Sequence, residues 1–137
     1  MKVSMFVKFS TEKDYLDFQT KGCIDDVIVY IDSKVFNLNV YQFDVFNYTI
    51  RTMIKEKKGI LMDSNILIVE DMTYKNIFNS IIKNIENEYF NCISPCNIYG
   101  NNIELVLNKQ TKKTYRKANI PVSFQFEELT CVFSAVI

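Results

Sequence analysis

The chain contains no histidine. Histidine is the side chain whose ordinary pKa suits proton transfer near neutral pH, and it completes most nucleophilic triads and catalytic zinc sites. Its absence removes most hydrolase and nuclease mechanisms and leaves only carboxylate chemistry. Glycine is scarce too: Gly22, Gly59 and Gly100 stand singly and far apart. Neither a GxGxxG turn nor a P-loop can be written from them, so no nucleotide or dinucleotide cofactor is expected. Excess charge is also missing. Sixteen Lys and Arg balance 16 Asp and Glu, which leaves no global field to hold a polyanion or a membrane surface. Only Arg51 and Arg116 are arginines, a thin basis for bidentate phosphate recognition.

Long apolar runs are lacking as well. The longest are Val27 to Ile31 and Ile66 to Val69, where a bilayer span needs roughly 18 residues. The apolar run Met5-Phe6-Val7 near the N-terminus is shorter than the roughly 7 to 15 residues of a signal peptide. A cytoplasmic location without membrane contact is the expectation. Cysteines stand at Cys23, Cys92, Cys96 and Cys131. In an unexported chain with a good core they are expected as reduced, buried thiols. Cys92 and Cys96 form a CxxxC, not the CxxC pairs of zinc and redox sites, and no histidine completes a ligand set, so no metal is expected.

What the chain does have is core-forming material. Apolar residues make up 48% of 137 positions and aromatics 14%, enough for one domain spanning 1–137 and too few for two ordinary ones. The clearest stretch is Ile66 to Ile85. An apolar strand, Ile66-Leu67-Ile68-Val69, precedes Glu70-Asp71-Met72-Thr73 and then Tyr74, Ile77, Phe78, Ile81, Ile82 and Ile85. Those six share one face of a 3.6-residue period, and Thr73 or Asp71 is the cap of a helix running to about Phe90.

Upstream, Val3, Met5, Val7 and Phe9 alternate as a strand. Ser10 or Thr11 caps a short helix burying Tyr15, Leu16 and Phe18 and stopping at Gly22. Val27 to Ile31 and Val35 to Val40 form an antiparallel pair across a loop of about three residues, Asp32-Ser33-Lys34, with Asn37 and Asn39 facing solvent or a partner. Phe43 to Lys57 is helical, with Phe46, Ile50, Met53 and Ile54 in phase and Gly59 as the stop. The order is β-α-β-β-α-β-α. Alternating runs at Ile103 to Leu107, Val122 to Phe126 and Cys131 to Ile137 add strands. The fold expected is α+β: a mixed, mostly antiparallel sheet with two to three helices packed on one side of it.

Carboxylate pairs occur at Asp25-Asp26, Glu70-Asp71 and Glu127-Glu128. Neighbours on a strand point to opposite faces, so turn and cap roles outrank acid-base catalysis for them. Lys109, Lys112, Lys113, Arg116 and Lys117 surround Tyr115. Such a patch can neutralise phosphates and stack a base, although a solvated loop explains it as well. The remaining resource is an acidic and aromatic set flanking the striped helix: Glu70, Asp71, Glu86, Glu88 and Tyr89. Carboxylates that mimic phosphates, with an aromatic anchor, suit an inhibitor of a basic protein.

From Ile24 to Ile85 the order of features resembles bacterial immunity proteins of polymorphic toxin and contact-dependent growth inhibition systems. The likeness rests on two strands running into Asn39-Val40-Tyr41-Gln42-Phe43-Asp44, a helix, and Ile66 to Tyr74 opening the isoleucine-striped helix. It implies a small cytosolic antidote, not an enzyme, that binds a cognate toxin domain, often a nuclease, and blocks its active site or substrate groove. On that reading Glu70, Asp71, Glu86, Glu88 and Tyr89 are the toxin contacts. The alternative is a small nucleic-acid-binding domain using Lys109 to Lys117.

Overall fold

The computed structural model describes residues 1–8, 12–57, 65–96, 120–126 and 129–137, the backbone alone for 120–126. The expected cap at Ser10 or Thr11, the stop at Gly59, the strand from Ile103 to Leu107, the basic segment Lys109 to Lys117 and the pair Glu127-Glu128 lie outside the described residues. The elements are β1 (Lys2–Val7), α1 (Glu12–Lys21), β2 (Cys23–Ile31), β3 (Lys34–Gln42), α2 (Phe43–Lys55), β4 (Ile66–Val69), α3 (Tyr74–Glu86), a 3₁₀ turn (Tyr89–Cys92), β5 (Ile120–Phe126) and β6 (Leu129–Val136). The fold is α+β, as expected. One six-stranded sheet runs in the order β4-β3-β2-β1-β6-β5. Among the described strands only β3 and β4 pair in parallel, joined by α2 as the crossover that parallel strands require.

Alternation decides what each face buries. Val3, Met5 and Val7 of β1 and Phe36, Leu38 and Val40 of β3 join a cluster with Ile77, Phe78 and Ile81 of α3. Phe78 stacks on Phe133 of β6, ring centres 5.2 Å apart. Each of these buried side chains contributes about 1.5–3 kcal/mol over leaving it in water. The α3 stripe is thus the main clamp on this face. Thr73 caps it, its hydroxyl accepting from the Asn76 amide at 3.1 Å, while the Asn76 side chain donates to the Asp71 carbonyl at 2.8 Å.

Tyr41, next to inward-facing Val40, points to the opposite face and packs its ring against that of Phe46 of α2, centres 5.5 Å apart and planes tilted by 59°. That places α2 on the side of the sheet away from α3, whereas the order of elements along the sequence predicts helices on one side only. Period-2 alternation says which residues share a face and nothing about which helix covers it. The opposite face also holds a second cluster, Phe6, Ile28, Tyr30, Val35, Leu129 and Cys131, with Cys96 packed against it. At the β1–β6 seam the buried Ser4 and Ser134 hydroxyls bond each other at 2.7 Å.

Several local expectations are corrected. The helix expected to reach Phe90 ends at Glu86, because Glu88 takes a left-handed conformation, φ 63°, that no α-helix continues through. Leu16 is 53% exposed instead of buried. The β2–β3 loop is two residues, Asp32 (φ 39°) and Ser33 (φ 72°), with Ile31 paired to Lys34. Two successive positive φ values make a type I′ turn, whose twist matches that of the strands. All four cysteines are free, but Cys92 is exposed and only Cys131 is buried. Burial pushes the Cys131 thiol up to about 12. The Tyr74 hydroxyl is buried without a hydrogen-bond partner among the described residues, and desolvation raises its pKa to about 12.

Candidate functional site

Three structural facts meet at the C-terminal end of α3. The left-handed Glu88 turns the chain sharply, the Glu88 amide donating to the Ile85 carbonyl at 3.0 Å and the Asn91 amide to the Glu88 carbonyl at 3.1 Å. The 3₁₀ turn that follows carries Phe90 back onto β3, edge-on to Phe36 at 5.1 Å. The type I′ turn between β2 and β3 rises alongside, its Asp32 carboxylate accepting from the Lys2 amide at 2.8 Å. Between them lies a groove of ≈ 610 Å³.

The groove has an apolar floor, with Phe36, Ile85 and Phe90, and a mostly acidic wall. Asp32, Glu86 and Glu88 contribute carboxylates against the single lysine Lys34. The α-amino group of Met1, also on the lining, donates to the Ile137 carbonyl at 2.8 Å. Tyr89 is 61% exposed at the margin and lines a smaller apolar hollow of ≈ 90 Å³ with Leu38, Ile66 and Phe90. Glu86 additionally borders a ≈ 480 Å³ groove between α3 and the end of β6, beside Lys83 and Ile137. Chemically this arrangement suits recognition: exposed carboxylates and an exposed ring surround a depression with an apolar base. Among the described residues no group of three or more potential ligating side chains is placed to hold a metal ion.

The five residues singled out from the sequence are therefore split. Glu86, Glu88 and Tyr89 come together at one end of α3, while Glu70 and Asp71 are exposed at the other, about 20 Å away along a 13-residue helix. The flank between them exposes Lys75 and Lys83, which interrupt any continuous acidic surface.

A second polar assembly sits on the sheet face opposite α3. Pairing shifts between Ile24 and Val27, so Asp25 and Asp26 oppose the single residue Asn39 in a β-bulge. Asp26 is left-handed, φ 56°. Its amide donates to Asn39 Oδ1 at 3.2 Å, its Oδ1 accepts from Asn37 Nδ2 at 2.9 Å, and its Oδ2 meets Lys8 Nζ at 3.1 Å. The Asn37 bond, followed by Lys8, holds the Asp26 carboxyl below its usual range. Asn65 extends the network by donating to the Asn37 carbonyl at 3.2 Å. Asn37 and Asn39, expected to face solvent or a partner, instead secure the bulge. The available signal was the Asp25-Asp26 pair interrupting an apolar strand opposite two alternating asparagines.

No protein-family model, no curated protein and no solved structure matches this chain.

Proposed function

We propose that the protein is a toxin-neutralising immunity protein that binds a basic toxin domain, a nuclease, and occludes its active site or substrate groove. The observation that carries this reading is the acidic and aromatic rim of Glu86, Glu88 and Tyr89 beside the ≈ 610 Å³ groove. Carboxylates at such a rim stand in for the phosphates a nuclease groove attracts, and charge complementarity speeds encounter. Tyr89 and Phe90 supply the kind of ring that anchors an interface centre. A standard footprint of about 800 Å² per partner would cover the rim, the groove and the neighbouring hollow. The resemblance of Ile24 to Ile85 to immunity proteins supports the same reading. Glu70 and Asp71 fall at the far end of α3 and are assigned no contact.

The test is coexpression with the toxin domain encoded by the adjacent reading frame, followed by purification of the complex. The expected result is restored growth and a stable complex. Glu86→Lys/Glu88→Lys/Tyr89→Ala should weaken binding by about 100-fold or more, while Glu70→Lys/Asp71→Lys stays within a few-fold. Equal loss in both variants would move the contact surface away from the groove. Absence of an adjacent toxin frame, or turnover of a substrate by the purified chain, would end the reading itself.

A further inference from the structure

Helix α2 leaves apolar surface uncovered. None of its residues is fully buried, and Phe43 (55%), Tyr48 (72%) and Ile54 (58%) are largely exposed, as is Ile68 (42%) on the β4 strand it packs against. At 100° per residue, Phe43, Asn47, Ile50 and Ile54 lie within about 60° of one another. They form a stripe about 16 Å long, with Phe43 and Ile54 exposed at its ends and Asn47 and Ile50 half-buried between them. Along one flank of that stripe stand Asp44, Arg51 and Lys55, all exposed, and no ion pair among the described residues engages any of the three.

This distribution is complementary to itself. When two copies of one helix pair antiparallel, like flanks meet, and the two-fold axis fixes which residues lie level. An axis level with residues 48 and 49 sets Phe43 over Ile54 of the second copy and Asn47 over Ile50. The same axis sets Asp44 between Arg51 and Lys55 of the second copy, at both ends of the interface. A parallel pairing would instead bring unlike flanks together, setting the Asp44, Arg51 and Lys55 flank of each copy against the Phe46 and Met53 flank of the other, where no opposite charge meets it.

We propose that α2 is a homodimerisation surface, pairing antiparallel with α2 of a second copy of this chain. The surface lies on the face of the sheet opposite α3, so a dimer presents two grooves facing outward. The proposal does not rest on what those grooves bind.

The test is analytical ultracentrifugation of the isolated chain from about 1 to 500 µM. The expected result is a mass rising with concentration toward twice 16.1 kDa. Asp44→Lys should weaken association by about tenfold or more, and the triple exchange Asp44→Lys/Arg51→Asp/Lys55→Asp should restore it. That rescue cannot come from a sturdier helix, because the exchange puts charges at both helix ends opposite to the dipole preference. A constant mass of 16.1 kDa across the range would overturn the proposal. So would association that Asp44→Lys leaves unchanged or the triple exchange fails to rescue, since a different face would then be responsible. A monomeric wild type that loses its toxin on Asp44→Lys would likewise overturn it and give the α2 face to the toxin.

Discussion

On the face covered by α3, the helix inserts Ile77, Phe78 and Ile81 into a cluster drawing on β1, β2, β3 and β6. On the face covered by α2, the helix buries no residue completely, and a polar strip of Asp26, Asn37 and Lys8 is held by hydrogen bonds and an ion pair. Both helices are 13 residues long with one apolar side. The difference is how much of that side the chain itself covers. Amphipathicity reports that a helix has something to bury, and not whether the burial partner belongs to the same molecule.

The sharpest break in this comparison is Phe78→Ala against Ile54→Ala, measured by denaturant unfolding of dilute protein. Phe78 is 1% exposed, so its truncation should cost about 3–5 kcal/mol. Ile54→Ala should stay within about 0.5 kcal/mol. Comparable losses would mean that α2 is as much a part of the core as α3.

Gly22 joins the two faces, since it closes α1 by donating from its amide to the Phe18 carbonyl at 2.9 Å and sits under Val45 of α2. A Cβ there would lie 2.5 Å from a Val45 methyl, on a backbone with φ 69°. Gly22→Ala should cost about 2 kcal/mol, from crowding plus left-handed strain. Adding Val45→Ala should recover the crowding share and leave roughly 1 kcal/mol. Full recovery would show that the backbone strain is negligible.

The smallest expected effect concerns Asp26. Its pKa lies lower in the folded chain than the ordinary 3.8, so its contribution is present above that value and lost as pH falls through the folded value. Lys8 and Asp26 are both about a third exposed, which limits the contribution to less than about 1 kcal/mol. Asp26→Asn, which retains tolerance for φ 56°, should lower stability slightly at pH 7. The two proteins should converge at strongly acidic pH. A difference that persists unchanged into acid would assign the effect to geometry and not to charge.

Much of the architecture was legible because it depends on periodicity. The Tyr74 to Ile85 stripe, the strand Ile66 to Val69 and the order of the first seven elements follow from spacing alone, and Gly22 marks the end of α1. What escaped depends on single backbone conformations. Glu88 and Asp26 adopt positive φ without being glycine, so the early end of α3 carries no compositional flag and the bulge in β2 is marked only by the Asp25-Asp26 pair. For the candidate site, Glu86, Glu88 and Tyr89 are close in sequence and remain close in space. Glu70 and Asp71 were grouped with them across a helix whose length separates them. The groove itself needs Asp32 and Phe36, whose approach is a matter of tertiary packing and invisible to any local pattern.

The hydroxyl pair Ser4–Ser134 joins positions 130 apart in sequence, at a seam two strands from one edge of the sheet. During synthesis β1 meets this neighbour only after some 130 further residues have been made. Native pairing at the seam is therefore slowed by its long sequence separation, and the growing chain carries an open apolar edge until β6 arrives. Shielding of that edge by chaperones should therefore raise the yield of folded protein in a cell.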